Sequence, residues 1–443
     1  MSEPELNVDI PNEAGWPIQS VDSLCSLISR GTAPVYVEHS EVLAIGQRCV
    51  ASTGFAPDFA RPHSHHAMRN VLRPESGDVL LNSTGTGTIG RSVVFNSPGT
   101  FIVDGHVTVM RPRVALADSR WLNSVLRTPA FQRHLERFCF AGSTNQLELS
   151  RTPLRVSRLP TPHIDDQRAM GLVIDTLDTA IHETEAIIAK LKAVKQGLLH
   201  DLLTRGIDAN SELRPPQAEA PHLYKQTPLG WIPKEWEIES VTKACSDVVD
   251  CPHSTPHYQD QGMLVARTMY IKDGMFLETQ ASRVSERQYH ERIARLEPQA
   301  GDVIFTREAP VGEAYVIPLG MKICLGQRVM LLRPKNGRLV AEYLLAQIYS
   351  GAVKDRIATL TSGTTNPHLN VSEVKDFEIP LPPFFEQQAI AERLKEHESR
   401  LQSEMSEQQK LALLKMGLMD DLLTGRVRVT PLLAEAAQQT GSA

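Results

Sequence analysis

Through Arg158 the 443-residue chain contains no lysine; its cations there are fifteen arginines, against fourteen acidic residues, four of them in the first thirteen positions. Arginine pairs bidentately with guanine edges and phosphates, although a GC-rich gene would also replace lysine by arginine. The six cysteines (Cys25, Cys49, Cys139, Cys245, Cys251, Cys324) form no C-x-x-C. Neither a zinc ribbon nor a disulfide framework is expected, and a reducing, cytoplasmic setting is. No apolar run approaches the about 18 residues of a membrane span, and the opening MSEPELNVDI is too acidic to read as a signal peptide. A net charge of only −6 argues against both a basic tail and a disordered acidic chain. Also missing are a Walker loop, a G-x-S-x-G and an Asx-Pro-Pro-aromatic motif for amino-methyl transfer.

What the chain does contain is an internal repeat, and its length leaves room for two or three domains. KQGLLHDLLTRG from Lys195 and KMGLMDDLLTGR from Lys415 match at an offset of 220 residues, which also relates Pro160 to Pro380, Gln167 to Gln387 and Ala169 to Ala389. With small shifts, Trp16 and Cys25 answer to Trp236 and Cys245. Gly77, Asp78 and Val79 answer to Gly301, Asp302 and Val303, and Arg111-Pro112 to Arg333-Pro334. Each copy reads as a mixed globular part followed by a helix.

One motif invites a nucleotide or S-adenosylmethionine reading: NSTGTGTIGR, with G-x-G-x-x-G at Gly85, Gly87 and Gly90. A phosphate-cradling loop needs a helix starting at those glycines. Here the β-branched run from Ser92 predicts a second strand instead, and the matching stretch of copy two, TREAPVGEA, keeps one glycine of the three. The spacing predicts a glycine-rich hairpin turn.

Two long helices are predicted. The first covers Pro160 to Gly206, with Pro162 at its start, Asp165 and Asp166 in its first turn, and apolar positions Met170, Val173, Leu177, Ile181, Ile188, Leu191, Val194, Leu198 and Leu202. The second, about Pro383 to Gly425, shows Ile390, Leu394, Leu401, Leu411, Leu414, Leu418 and Leu422, with His397, Glu404 and Gln408 near the seam. Helices of about 40 residues, or about 60 Å, suit a coiled coil with each other, although each could lie on its own domain. The polar linker between copies makes antiparallel packing the simpler connection. The expected class is therefore α+β: two mixed globular parts at opposite ends of an antiparallel two-helix coiled coil, related by a pseudo-twofold.

Leu198, Leu199, Leu202 and Leu203, with Leu418, Met419, Leu422 and Leu423, present more apolar surface than a two-helix seam buries. A partner could dock there, or the neighbouring globular part could cover it. His63, His65 and His66 lack paired acidic or cysteine ligands and read as a solvated loop, not a metal site. Glu373-Val-Lys375 has the E-x-K of a nuclease without its upstream Pro-Asp. A duplicated protein without a catalytic constellation is expected to bind and not react. Polar loop residues suit base reading: Gln47, Arg48, Ser83, Thr84, Arg91, Asn145 and Gln146 in copy one. Copy two offers Arg267, Thr268, Thr306, Arg307, Glu308, Gln327, Arg328 and Asn366. The same residue types also cap ordinary turns.

The tail IPLPPFFEQQAIAERL…LLKMGLMDDLLTGRVRV and its first copy LPTPHIDDQRAMGLVIDTLDTAI…LKAVKQGLLHDLLTRGID resemble the paired helical regions of the specificity subunit of type I restriction-modification systems. DCPHSTPHY, FTREAPVGEA, CLGQRVMLLRP and LGWIPKEWEI resemble segments of that family's target recognition domains. PHIDDQ departs from the usual start of the first helix. The resemblance implies a non-catalytic reader of a bipartite, asymmetric double-stranded DNA site. It implies recognition domains at 1–159 and 225–379, spacer helices at 160–206 and 380–428, a linker at 207–224 and a tail at 429–443. Methyltransferase subunits would dock on the helices, and restriction subunits would join that complex. No cofactor or metal is implied in this chain; S-adenosylmethionine, ATP and Mg are expected on those partners. The rival classes are a stand-alone S-adenosylmethionine or nucleotide-binding DNA-modifying enzyme and a plain coiled-coil scaffold.

Overall fold

The structure is a computed structural model that describes residues 6–142, 147–363 and 367–429. The chain forms two compact units: Met1–Ala186 with Met405–Ala443, and Ile187–Glu404. Both are mixed α/β. In the first, an antiparallel four-stranded sheet runs in the order Cys25–Arg30, Val107–Pro112, Val79–Asn82, Ser92–Val94. The second repeats that order with Cys245–Asp250, Val329–Pro334, Val303–Thr306 and Ala314–Val316. A three-stranded sheet accompanies each, built on Val42–Ile45 and on Met263–Ala266, each with one parallel and one antiparallel neighbour. Helix Glu286–Ile293 stands where the first unit has only the short turn His65–Ala67, and past it the offset reaches 224, from Gly77 to Gly301.

Apolar runs explain these sheets. Val79 to Asn82 and Val303 to Thr306 are buried at every position, on both faces, as befits central strands. Each is entered through a glycine at positive φ (Gly77, 88°; Gly301, 87°), followed by a buried aspartate. Asp78 accepts from Glu75 N (2.7 Å) and pairs with Arg111 (2.8 Å). Asp302 accepts from Gln299 N (2.8 Å) and pairs with Arg333 (2.8 Å). The two dipeptides found in the repeat, Gly-Asp and Arg-Pro, are thus two halves of one ion pair, and the aspartate holds each arginine's pKa above its ordinary value.

The long helices are Ile164–Thr204 and Phe384–Thr424. Pro160, expected inside the first, lies in strand Ser157–Pro160, because that strand pairs with Ile18–Ser20. Gly206 (φ 62°) and Gly425 (φ 75°) follow the helix ends. Within the first unit the helices run antiparallel: Asp178 pairs with Lys415, and Gln408 Nε2 donates to Glu185 (2.9 Å). Within the second, Lys195 pairs with Glu398, and Ile188, Leu191 and Leu401 form an apolar cluster. Val194 and Leu414, read from the sequence as seam residues, are 47% and 51% exposed; the next residues, Lys195 and Lys415, take the inward heptad positions.

Two buried glutamines fasten the helix starts. Gln167 Nε2 donates to Leu116 O (3.0 Å) and Pro162 O (2.9 Å), and its Oε1 accepts from Asp118 N (3.0 Å). Gln387 repeats this with Arg338 O, Pro382 O and Val340 N, all at 2.9 Å. Residues 207–224, expected as a linker, are built into the second unit because Arg214 supplies the counter-charge for Glu386, which is 0% exposed. That carboxylate also accepts from Ile207 N (2.9 Å) and Trp236 Nε1 (3.2 Å). Among the described residues no helix is long and apolar enough to cross a membrane.

Gln387→Ala strands three buried polar groups, at about 1–3 kcal/mol for an unsatisfied group. The variant should unfold at lower urea, and its hydrogen exchange should quicken around 338–387 and not around 116–167. Equal quickening in both regions would contradict the pinning role.

Candidate nucleic-acid interface

The glycine motif lies between antiparallel strands Val79–Asn82 and Ser92–Val94 and starts no helix, so the hairpin expectation holds and the pyrophosphate geometry is missing. Gly85 sits at φ 101°, where a Cβ would collide with Gln47 Oε1 and Thr88 Oγ1. Asn82 Nδ2 donates to Gln47 O (3.0 Å) and Thr88 O (3.2 Å), tying hairpin to turn. Of the expected base readers, Ser83 is a correction: it is 1% exposed and its hydroxyl is bound to Thr108 Oγ1 at 2.6 Å. Thr306 is another: at 0% exposed, its hydroxyl donates to Pro310 O (2.6 Å) and accepts from Glu313 N (2.9 Å). Both hydroxyls are spent on neighbouring segments of the protein and are buried away from any base edge.

Thr84 in the first unit and Arg307, Glu308 and Arg328 in the second lie at one end of the four-stranded sheet, on a backbone frame that recurs in both units. In the first, Ser83 N donates to His106 O (2.9 Å) and Leu149 N to Ser83 O (2.8 Å). In the second, Arg307 N donates to Arg328 O (3.1 Å) and Leu369 N to Arg307 O (2.7 Å). Thr84 bridges Glu148 as Glu308 bridges His368. On this shared frame the side chains are exchanged. Arg30, ending its strand, pairs with Glu148 (3.3 Å), and Thr84 Oγ1 is 2.8 Å from His106 Nδ1. The equivalent strand ends in Asp250, which pairs with Arg307 (3.1 Å), while Glu308 pairs with Arg328 (3.0 Å).

Gln47 approaches the Thr84 hydroxyl (3.4 Å); Gln327 Nε2 donates to His253 O (2.9 Å). Arg48 is exposed and lies 4.4 Å over Phe59; Arg91 Nη2 donates to Gly87 O (2.8 Å). Arg267 lies over Tyr258 (4.7 Å) and donates to Ser282 Oγ (3.3 Å); Thr268 begins the following turn, half-buried. Asn145, Gln146 and Asn366 fall outside the described residues. Sequence reasoning missed Arg30, His106, Glu148, Asp250 and His253. The signal available was a change of charge at otherwise matching repeat positions, as between Arg30 and Asp250.

The apolar partner face also needs correction. Leu202, Leu203, Leu422 and Leu423 are at most 4% exposed, inside the core of their own unit. Leu198 and Leu199 pack against the second core and Leu418 and Met419 against the first. Burial by the adjacent globular part therefore takes up four of the eight, and the other four remain half-buried. The exposed apolar residues nearby are Leu413 (64%) and Met416 (64%), with Leu414 and Val194. His63, expected in a solvated loop, is 1% exposed because its ring accepts from Val35 N (3.0 Å) and faces Ala67 O (3.2 Å). Glu373 caps the short helix Val371–Lys375 by accepting from Asn370 N (2.7 Å).

Two related units thus carry different polar side chains on one repeated frame. The family model described as type I restriction modification DNA specificity domain matches residues 266–414. The putative type I restriction enzyme MjaX specificity subunit of Methanocaldococcus jannaschii is 22% identical over 362 residues, covering 80% of this chain and 79% of the relative. The MjaVIII specificity subunit of the same organism is 23% identical over 291 residues, 62% of this chain and 63% of the relative. Among solved structures, the type I restriction-modification S subunit from M. genitalium superposes with a TM-score of 0.59 at 12% identity, covering 94% of this chain and 97% of that one. In sequence the chain is thus similar to the DNA specificity subunits of type I restriction-modification systems, and in fold to a solved member of that family.

Proposed function

We propose that this chain is the non-catalytic, sequence-reading subunit of its complex, and that each unit reads one half of a bipartite, asymmetric double-stranded DNA site. The observation that carries this reading is the repeated sheet-end frame, constant in backbone hydrogen bonds and exchanged in side-chain charge between units. Two copies with identical readers would favour a symmetric site; these differ in sign at equivalent positions. The long helices serve as the spacer between readers, and the methyltransferase subunits dock on helix surface that includes the exposed Leu413, Leu414 and Met416. Chemistry on DNA, with its S-adenosylmethionine, ATP and Mg, belongs to those methyltransferase and the restriction subunits.

Replacing residues 230–379 with the equivalent part of another family member should change one half of the methylated motif and leave the other intact, read by genome-wide methylation mapping. A change in both halves would reject two independent readers.

Spacing gives a second test. In the second unit, pairing of Lys195 with Glu398 puts Lys190 opposite Ser403. One heptad inserted after Lys190 together with one after Gln402 should lengthen the spacer helices by about 10 Å. The preferred gap between half-sites should then grow by about three base pairs at about 3.4 Å each, with both half-site sequences retained. Three added base pairs also turn one half-site by about 100°, so binding should weaken even at the best gap. An unchanged gap in an active variant would show that the helices do not measure the site.

A further inference from the structure

In the second unit, charged side chains form an alternating chain: Asp250 Oδ1 accepts from Arg307 Nε (3.1 Å), Arg307 Nη1 donates to Glu308 Oε1 (3.3 Å), and Glu308 Oε2 lies 3.0 Å from Arg328 Nε. Its members differ sharply in access. The Arg307 side chain is 14% exposed and Arg328 61%. Arg328 also holds φ at +68°, a region non-glycine residues rarely adopt. Its amide donates to Cys251 Sγ (3.2 Å) and its carbonyl accepts from Arg307 N (3.1 Å), so the backbone is fixed on both sides in that conformation.

We infer that Arg328 is the specificity-determining residue that reads a guanine in the half-site taken by the second unit, and that Arg307 is its positioning residue. This rests on the DNA-reading function proposed above. A guanidinium tethered through Nε keeps both Nη groups for the paired O6 and N7 acceptors of guanine. Arg307, spent on two carboxylates, has no such freedom; it orients Glu308, which orients Arg328. Other arginines near the sheet ends are committed elsewhere: Arg48 to Phe59, Arg91 to Gly87 and Arg267 to Tyr258 and Ser282. In the first unit His106 and Thr84 occupy the places of Arg328 and Glu308, so this arginine-to-guanine contact belongs to one half-site only.

The test selects bound duplexes from a library of randomised DNA, using the full chain with its methyltransferase subunits. Wild type should return a bipartite motif. Arg328→Ala and Arg328→Lys should each lose about 5- to 150-fold in preference for guanine at one position of one half-site, with the other half unchanged. Arg307→Ala should weaken that same preference to a smaller extent. Replacing that guanine by 7-deazaguanine, which lacks the N7 acceptor, should weaken wild type and leave Arg328→Ala unaffected. A motif that both Arg328 variants keep intact overturns the inference, as does full retention by Arg328→Lys, the mark of a phosphate contact. A shift at a different position in Arg307→Ala would make Arg307 a reader and also overturn it. A wild-type complex that selects no motif would instead overturn the DNA-reading function, and this inference with it.

Discussion

The placing of each globular part depends on how firmly it is joined to its long helix, and a buried glutamine ties the polar groups at that joint. An amide is suited to the place: it donates twice and accepts once without carrying a charge into the interior. Gln167 and Gln387 each satisfy two carbonyls and one amide on segments that precede the helix in sequence and touch it in space. Leucine would fill the volume and strand all three groups; glutamate would lose the two donated bonds. In the second unit the joint is reinforced by Glu386, one residue earlier, whose carboxylate gathers Arg214, Trp236 and the chain leaving the first long helix.

With the joint fixed, the sheet ends are free to vary. The frame there is held by main-chain bonds, Ser83 to His106 in one unit and Arg307 to Arg328 in the other, which do not depend on side-chain identity. Exchanging Arg30 and Glu148 for Asp250 and His368 therefore leaves the strand geometry standing. The Arg30–Glu148 and Arg328–Glu308 pairs are partly exposed, where ion pairs contribute little to stability, so their arrangement is free to vary.

Much of the joint was legible in the sequence, because interactions made of two fixed residue types leave matched pairs in a repeat. Gly77-Asp78 with Arg111-Pro112, and the Gln167 and Gln387 equivalence, were visible before their partners were. The hairpin was legible too, since β-branched residues after Gly90 cannot be reconciled with a phosphate-binding helix start. The proposed reading surface was not. Ser83 and Thr306 carry the same hydroxyl whether it faces DNA or a neighbouring strand, and only the sheet order buries them. His106 and Glu148 come together from distant segments through strand pairing that no local pattern encodes. Arg214 escaped for the same reason, inside a stretch whose proline and acidic content reads as a linker.

The polar residues in the helix seam bear on why only one alignment is stable. A wholly apolar heptad seam tolerates slips of one heptad and reversal of direction, whereas a buried charge with a single partner does not. Lys415 is 13% exposed and Asp178 21%. Burial pushes the Lys415 ammonium below its ordinary pKa, while Asp178 opposes that shift and Arg127, also paired to Asp178 at 3.1 Å, adds to it. Sliding the Lys415 helix by one heptad in one direction would set Lys415 opposite Gly171, desolvated without a carboxylate. In the second unit Lys195 and Glu398 stand at the positions related to Lys415 and Asp178 by the same 220-residue offset, so the same choice of register is encoded twice. That second pair is more exposed, at 39% and 51%, where an ion pair contributes less, so the register is held more tightly in the first unit than in the second.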